Sequence, residues 1–196
     1  YRGRTAINWA LIRGETVTGL TIFWLDKGID TGPILLQKEV PVGPEDTTGT
    51  LYFNKLFPMG IEAISEAVDL IRAGNPARFV QDESKATYDP PCTDEHAKID
   101  WSKPAQEVYN LIRGCDPQPG AHTTCQGKMV RIFDARLQNG ANSPAAGEIT
   151  EIAGDDITIA LNGGTLTVKR MRGEGAKISG AEFAKQAGLN VGDQLG

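Results

Sequence analysis

A chain of 196 residues has room for one domain of ordinary size or two small ones, since domains hold about 100–200 residues each. Apolar residues at 40%, charged residues at 23% and aromatics at 7% describe a globular protein and exclude a collagen, a coiled coil, a disulfide scaffold and a disordered tail. The net charge of −5 argues against non-specific nucleic-acid binding, which needs a clustered basic face. Charges such as Asp26 and Lys38 keep every apolar run short of the ~20 residues of a membrane helix.

From the N-terminus, Thr5 is placed to cap a short helix through Arg13, with Ile7, Leu11 and Ile12 at helical spacing and Gly14 as its stop. Val17 to Leu25 and Ile34 to Val42 are rich in β-branched and aromatic residues and predict two strands. The Asp26–Pro33 stretch between them has turn chemistry throughout. Leu51, Leu56, Ile61, Ile64, Val68 and Ile71 form a helical stripe within 47–73 that Pro58 and Gly60 kink or divide. The prolines of Ala86-Thr87-Tyr88-Asp89-Pro90-Pro91 deny the chain a helix and mark a linker, which predicts two domains, 1–91 and 92–196.

Charge supports the division. Residues 1–100 hold ten Lys/Arg against fifteen Asp/Glu, and residues 101–196 hold ten of each, so the excess negative charge lies in the first half. Beyond the linker, Ser102 is placed to cap a helix from Lys103 to Arg113. Five short strands follow, at 120–124, 128–137, 147–152, 156–161 and 165–171. Gln126-Gly127, Asn139-Gly140, Gly154-Asp155 and Gly163-Gly164 are read as turns, and 137–147 as a loop. Such a run of strands predicts a small OB-like β-barrel, and Ser179 opens a last helix near Phe183.

Three cysteines without a CxxC pair and only two histidines, His96 and His122, argue against a zinc site. Each thiol reads as a small, partly buried group in a reducing compartment, which is the cytoplasm. The chain opens at Tyr1 with no initiator Met and no apolar signal segment, and reads as part of a longer product.

One residue stands out for chemistry. Asp30 lies in the loop between the two predicted strands, and the flanking Gly28 and Gly32 allow positive φ and the close approach of another molecule. A carboxylate there can orient or deprotonate a reactant. Asp30-Thr31-Gly32 is equally good turn sequence, in which Asp30 bonds its own backbone. The tripeptide is also the aspartic protease signature, but a single copy, Pro33 after it and the long helix that follows are foreign to that fold. Asp26, four residues earlier, reads as a solvated turn residue, and Trp24 as a core side chain.

Tyr1-Arg2-Gly3-Arg4, Ala6-Ile7-Asn8-Trp9, Thr18-Gly19-Leu20-Thr21-Ile22-Phe23, Asp26-Lys27-Gly28-Ile29-Asp30-Thr31-Gly32 and Leu36-Gln37-Lys38 together resemble the 10-formyltetrahydrofolate-dependent formyltransferase family. Ala86-Thr87-Tyr88, Ile99-Asp100-Trp101, Ile112-Arg113 and Asp116-Pro117-Gln118-Pro119-Gly120-Ala121 extend the resemblance through the linker into the second half. Thr21-Ile22-Phe23-Trp24 and Leu51-Tyr52 are similar to the hydrolase domain of 10-formyltetrahydrofolate dehydrogenases, and Pro119-Gly120-Ala121 to methionyl-tRNA formyltransferases. Tyr1 to Arg4 and Asn8-Trp9 also resemble formyltransferases that act on amino sugars.

The resemblance implies an α/β fold, here the C-terminal part of a formyltransferase catalytic domain with an incomplete sheet, followed by the family's barrel domain. It implies 10-formyltetrahydrofolate as formyl donor, no metal, and an acceptor that is an amine of methionyl-tRNA or an amino sugar, or water. In such a centre an Asn, a His and an Asp converge on the formyl group, with the Asp supplying general-base character; it maps onto Asp30. The Asn and His belong to a segment upstream of Tyr1, and neither His96 nor His122 matches their motif, so the chain alone is expected to be inactive. Arg2 and Arg4 are expected to hold a phosphate or a folate carboxylate, and Gly28 and Gly32 to line the substrate. A tRNA partner is disfavoured by the neutral second half, in which Lys169, Arg170 and Arg172 are divided between two strand faces. The alternative from the same residues is a non-catalytic OB-like nucleic-acid or interaction module, or an inactive gene fragment.

Overall fold

A computed structural model describes residues 1–142 and 145–196; of the expected 137–147 loop, residues 137–142, with Asn139 and Gly140, are strand instead of loop and turn, and 143–144 lie outside the described residues. Helix α1 (Ala6–Ile12) is followed by strands β1 (Val17–Phe23) and β2 (Ile34–Pro41), which form a two-stranded antiparallel sheet from Val17↔Pro41 to Phe23↔Ile34. Thr5 does not cap α1; its hydroxyl reaches the linker, donating to the Pro90 carbonyl at 3.2 Å.

The long helical stretch divides where proline requires it. Helix α2 (Thr48–Leu51) passes through a π-helical turn at Tyr52–Leu56 into α3 (Phe57–Arg72), and the Phe57 N–H donates to the Tyr52 carbonyl. Pro58 has no N–H for the Asn54 carbonyl four residues back, and widening the turn just before it accommodates the loss.

After the linker, α4 (Ala105–Cys115) precedes β3 (Ala121–Cys125), β4 (Lys128–Asn142), β5 (Ile149–Ala153), β6 (Asp156–Arg172), β7 (Ile178–Ser179) and α5 (Gly180–Ala187). Ser102 does not cap α4: its hydroxyl and N–H both bond the Asp100 carboxylate, and Pro104 takes the cap position. Ser179 does cap α5, its hydroxyl accepting the Glu182 N–H.

The sheet order is β3-β4-β6-β5, with β7 on β6 and every pair antiparallel. The two strands expected at 156–161 and 165–171 are one, because Gly163 and Gly164 lie inside β6 and Gly164 pairs with Asn139 of β4. A Cβ on Gly164 would stand 2.2 Å from the Gln138 carbonyl. Gly164 therefore serves a close approach of two strands and not a turn, while Gly163 beside it takes a positive φ of 109 within the strand.

The expected barrel is corrected as well. Among the described residues no ladder joins β3 to β5, and the sheet is not a closed barrel. Irregular segments cover the two edges instead. Ile99 N–H donates to the His122 carbonyl beside β3, and Ile149 N–H donates to the Asp193 carbonyl beside β5. The Gly196 N–H then reaches the Thr124 carbonyl. Edge groups are satisfied without strand-to-strand closure.

Strand alternation also breaks. Ile132 and Phe133 are both buried, Asp134 follows with φ 50, and on the paired strand Lys169 and Arg170 are both exposed. The two cations thus share exposure instead of dividing, while Arg172 lies 5.2 Å from the centroid of the Phe133 ring.

One core joins α4, α5 and the sheet, including Val108, Ile112, Ile132, Leu166, Val168 and Met171, while a small second cluster joins Leu11, Leu51 and Leu56. The two meet where α1 crosses α4. Asn8 Nδ2 donates to the Gly114 and Gln118 carbonyls at 2.8 and 2.9 Å, and Arg113 donates to the Gly43 carbonyl at 3.2 Å.

Candidate active site

The loop from Trp24 to Pro33 is closed at its base by the Trp24 N–H, which donates to the Pro33 carbonyl at 2.9 Å. Asp26 organises its entry. The carboxylate accepts the Thr31 hydroxyl at 2.6 Å and the Gly28 N–H at 2.9 Å, and these bonds hold its pKa below the ordinary value. Asp26 is an exposed turn residue, as its position in the sequence suggests.

The glycines act by lacking a side chain. Neither Gly28 nor Gly32 has positive φ; that conformation belongs to Asp30 itself, at φ 55. A Cβ on Gly32 would lie 1.6 Å from the Trp24 carbonyl, and one on Gly28 would lie 2.1 Å from Thr31 Oγ1. Both glycines therefore let the loop fold on itself, and a left-handed non-glycine residue at its apex costs backbone strain that the surrounding bonds must offset.

Those bonds come from both ends of the first half. Asp30 Oδ2 accepts the Gly3 N–H at 2.8 Å. Gln81 Nε2 donates to the Asp30 carbonyl at 2.9 Å and the Gly32 carbonyl at 2.7 Å, so one side-chain amide spans the loop apex. Gln81 is itself held, its Oε1 accepting Arg2 Nη2 at 2.9 Å.

Arg2 is buried at 6% exposure and commits its guanidinium within the chain. It forms a fork of two 2.9 Å bonds to Glu83 and a bond to the Tyr88 hydroxyl. The Arg2 fork holds the Glu83 carboxyl below its ordinary pKa. The residue expected to receive an anion from outside thus braces the Asp30 loop. Arg4 is exposed and, among the described residues, makes no hydrogen bond or ion pair. Asp30, Gly3 and Gln81 line a cleft of about 790 Å³, with Leu20 and Lys38 from the hairpin and Thr87 from the linker.

Trp24 is half-buried, its Nε1 donating to the Ala77 carbonyl at 3.0 Å while Arg78 covers the ring at 4.1 Å. The histidines stand elsewhere. His96 Nδ1 contacts the Thr93 hydroxyl at 3.1 Å, and the buried His122 contacts the Asp94 carbonyl at 2.9 Å. Among the described residues no group of three His, Cys, Asp or Glu side chains could hold a metal. Gln81, Glu83 and Gly3 escaped the sequence reading, because no spacing links positions 2, 30 and 81. The one signal was their place beside Arg2 and the Ala86-Thr87-Tyr88 stretch.

Comparison with known proteins decides the family. Residues 1–68 match the family described as formyl transferase, and residues 91–188 match the formyl transferase C-terminal domain, half of the chain by itself. This chain belongs to the formyl transferase family. The cytosolic 10-formyltetrahydrofolate dehydrogenase of Xenopus laevis is 39% identical over 198 residues, a match covering 95% of this chain and 22% of that protein. The methionyl-tRNA formyltransferase of Geobacter metallireducens is 34% identical over 197 residues, covering all of this chain and 62% of the relative. This formyl transferase chain therefore spans less than two thirds of either relative. In fold it is similar to HypX from Aquifex aeolicus, whose crystal structure is in complex with tetrahydrofolic acid, at a TM-score of 0.81 and 23% identity over 97% of this chain and 34% of that one. Among the described residues no helix is long and apolar enough to cross a membrane.

Proposed function

We propose that this chain carries the carboxylate side of a centre that transfers or hydrolytically releases the formyl group of 10-formyltetrahydrofolate. The observation that carries the reading is Asp30. It is a left-handed, half-buried residue on a cleft, with its carboxylate aimed by the Gly3 N–H and its backbone clamped by Gln81. Attack on a formyl carbon needs a base to take the proton of the incoming amine or water, and a preorganised donor for the oxyanion that forms. Asp30 supplies the first. The donor falls to the Asn and His that the family resemblance calls for, and no pair matching their motif stands among the 196 residues, so the chain alone is inactive in this reading.

Membership of the family supports the donor, and a tetrahydrofolic acid complex of a fold neighbour agrees with it. The acceptor is an amine, of methionyl-tRNA or an amino sugar, or water. In this reading Gly28 and Gly32 serve the substrate by letting the loop that carries Asp30 fold, Arg4 adds a free cation one residue beyond Gly3 of the cleft lining, and Arg2 acts through Gln81 and not on the ligand. Residues 1–91 form the catalytic portion and 92–196 the C-terminal domain, in a cytoplasmic protein.

The test uses the complete reading frame containing these residues, assayed for release of tetrahydrofolate with Asp30 intact and with Asp30→Asn. We expect Asp30→Asn to lower kcat by about 10²–10⁴-fold, the usual contribution of a positioned general base, with folate binding retained. Full turnover in Asp30→Asn would remove Asp30 from the chemistry, and no turnover in the intact protein would remove the reading altogether.

A further inference from the structure

Away from the Asp30 loop, the fold brings two of the three cysteines together. Cys92 directly follows the linker prolines, and Cys115 is the last residue of α4. Their Sγ atoms stand 3.9 Å apart although the residues are 23 positions apart in sequence. The Cys92 N–H donates to Thr5 Oγ1 at 3.0 Å, which fixes its backbone from the far side. The third thiol, Cys125, is buried in β3 and pairs with neither.

The two sulfurs are unequal in the way a reacting and a resolving thiol must be. Cys92 is half-buried and reachable, while Cys115 has no exposed surface. The hydrogen bond from Cys115 draws the Cys92 thiol below its ordinary pKa, against partial burial. The same bond raises Cys115, together with burial and the neighbouring Asp116 carboxylate. Cys115 also sits at the carbonyl end of α4, where a thiolate is disfavoured.

We propose that Cys92 and Cys115 are a covalent modification site, a dithiol that a hydroperoxide converts to an intrachain disulfide. The Cys92 thiolate attacks one peroxide oxygen, the O–O bond breaks, and the product is a Cys92 sulfenic acid and hydroxide, which takes up the proton lost by the thiol. The Cys115 sulfur then attacks the sulfenyl sulfur, its proton leaves with the departing hydroxyl as water, and the S–S bond forms. Two thiols and one hydroperoxide of the hydrogen peroxide type thus give one disulfide and two waters. The sulfurs must close from 3.9 Å to about 2 Å. The bond fastens the linker to α4, which already grips α1 through Asn8 and Gly114. None of this depends on formyl chemistry.

The test treats the reduced chain with hydrogen peroxide, counts free thiols in denaturant and maps the peptides by mass spectrometry. Three free thiols should fall to one, with a Cys92–Cys115 linked peptide that dithiothreitol reverses. In Cys115→Ser the reaction should stop at Cys92, trapped there by dimedone, and Cys92→Ser should leave Cys115 unmodified. A Cys125→Ser chain should behave as the parent. Retention of all three thiols, a link through Cys125 or a disulfide between chains would each overturn the proposal. These outcomes are read on the unsubstituted chain, so they stand even if a cysteine variant fails to fold.

Discussion

At the scale of single residues, Asp30 owes its conformation to a neighbour that sequence spacing does not reveal. Gln81 donates to two carbonyls of one loop, and an alanine there leaves both without their donor. Losing such a partner costs about 1–3 kcal/mol. Gln81→Ala should therefore lower the urea midpoint, and in the complete reading frame it should reduce kcat more than it alters KM. A Gln81→Glu chain, which keeps the shape but presents only acceptors, should not restore either quantity, whereas a purely space-filling role would let it.

Asp116 gives a prediction with a pH sign. Burial raises its carboxyl above the ordinary value, against the lowering effect of the Asp134 N–H that donates to it at 2.8 Å. The unfolded chain has the ordinary value of about 3.9, so below that pH the group is neutral in both states, and as pH rises toward the folded value the native state loses stability. Asp116→Asn keeps an oxygen for the Asp134 N–H and never ionises. It should melt above the parent at pH 7, with the difference vanishing below about pH 4; a difference that does not vary with pH would refute the assignment.

At the scale of elements, the joint between the halves depends on a small residue in α4. A Cβ on Gly114 would stand 2.6 Å from Ile12 Cγ1 and 3.0 Å from the Asn8 carbonyl, so α1 and α4 approach closely only because that side chain is absent. Gly114→Ala improves helix propensity yet drives the two helices apart. Overpacking of this kind costs about 1–3 kcal/mol, and thermal melting should show the loss directly. A stabilised Gly114→Ala chain would mean that propensity outweighs the close approach. The π turn at Tyr52–Leu56 belongs to the same scale: Pro58 announced an irregularity in the helix, but which carbonyl would go unpaired and how the turn would widen depended on the backbone around it.

At the scale of the whole molecule, the halves differ in how completely they are buried. The core that joins α4 and the sheet lies within 97–195 and includes fully buried Ile132, Leu166 and Met171. The first half has only a two-stranded sheet, and the π turn and α3 together leave Phe53, Ile61 and Ile64 at 66%, 58% and 59% exposure. A two-stranded hairpin is marginal in water, and a helix face so exposed favours association. Residues 92–196 expressed alone should melt cooperatively, while residues 1–90 alone should aggregate. A cooperative, monomeric melt of the first segment would contradict this.

Short-range features of this protein were legible in its amino-acid order. The strands at 17–23 and 34–41, the turn character of the loop between them, the proline-marked irregularity near Pro58 and the Ser179 cap of α5 were legible, because each follows from residues within one or two turns of each other. The family was legible too, through several ordered motifs spread along the chain. Long-range packing was needed to show that Thr5 serves the linker, that Gly163 and Gly164 lie inside a strand, that the sheet edges are covered by irregular segments, and that Arg2 braces Asp30 through Gln81. It alone brought Cys92 to Cys115. These contacts join residues 23 to 87 positions apart, and their pairing is set by which surfaces meet when the cores form. Local propensity and periodicity carry no information about that choice.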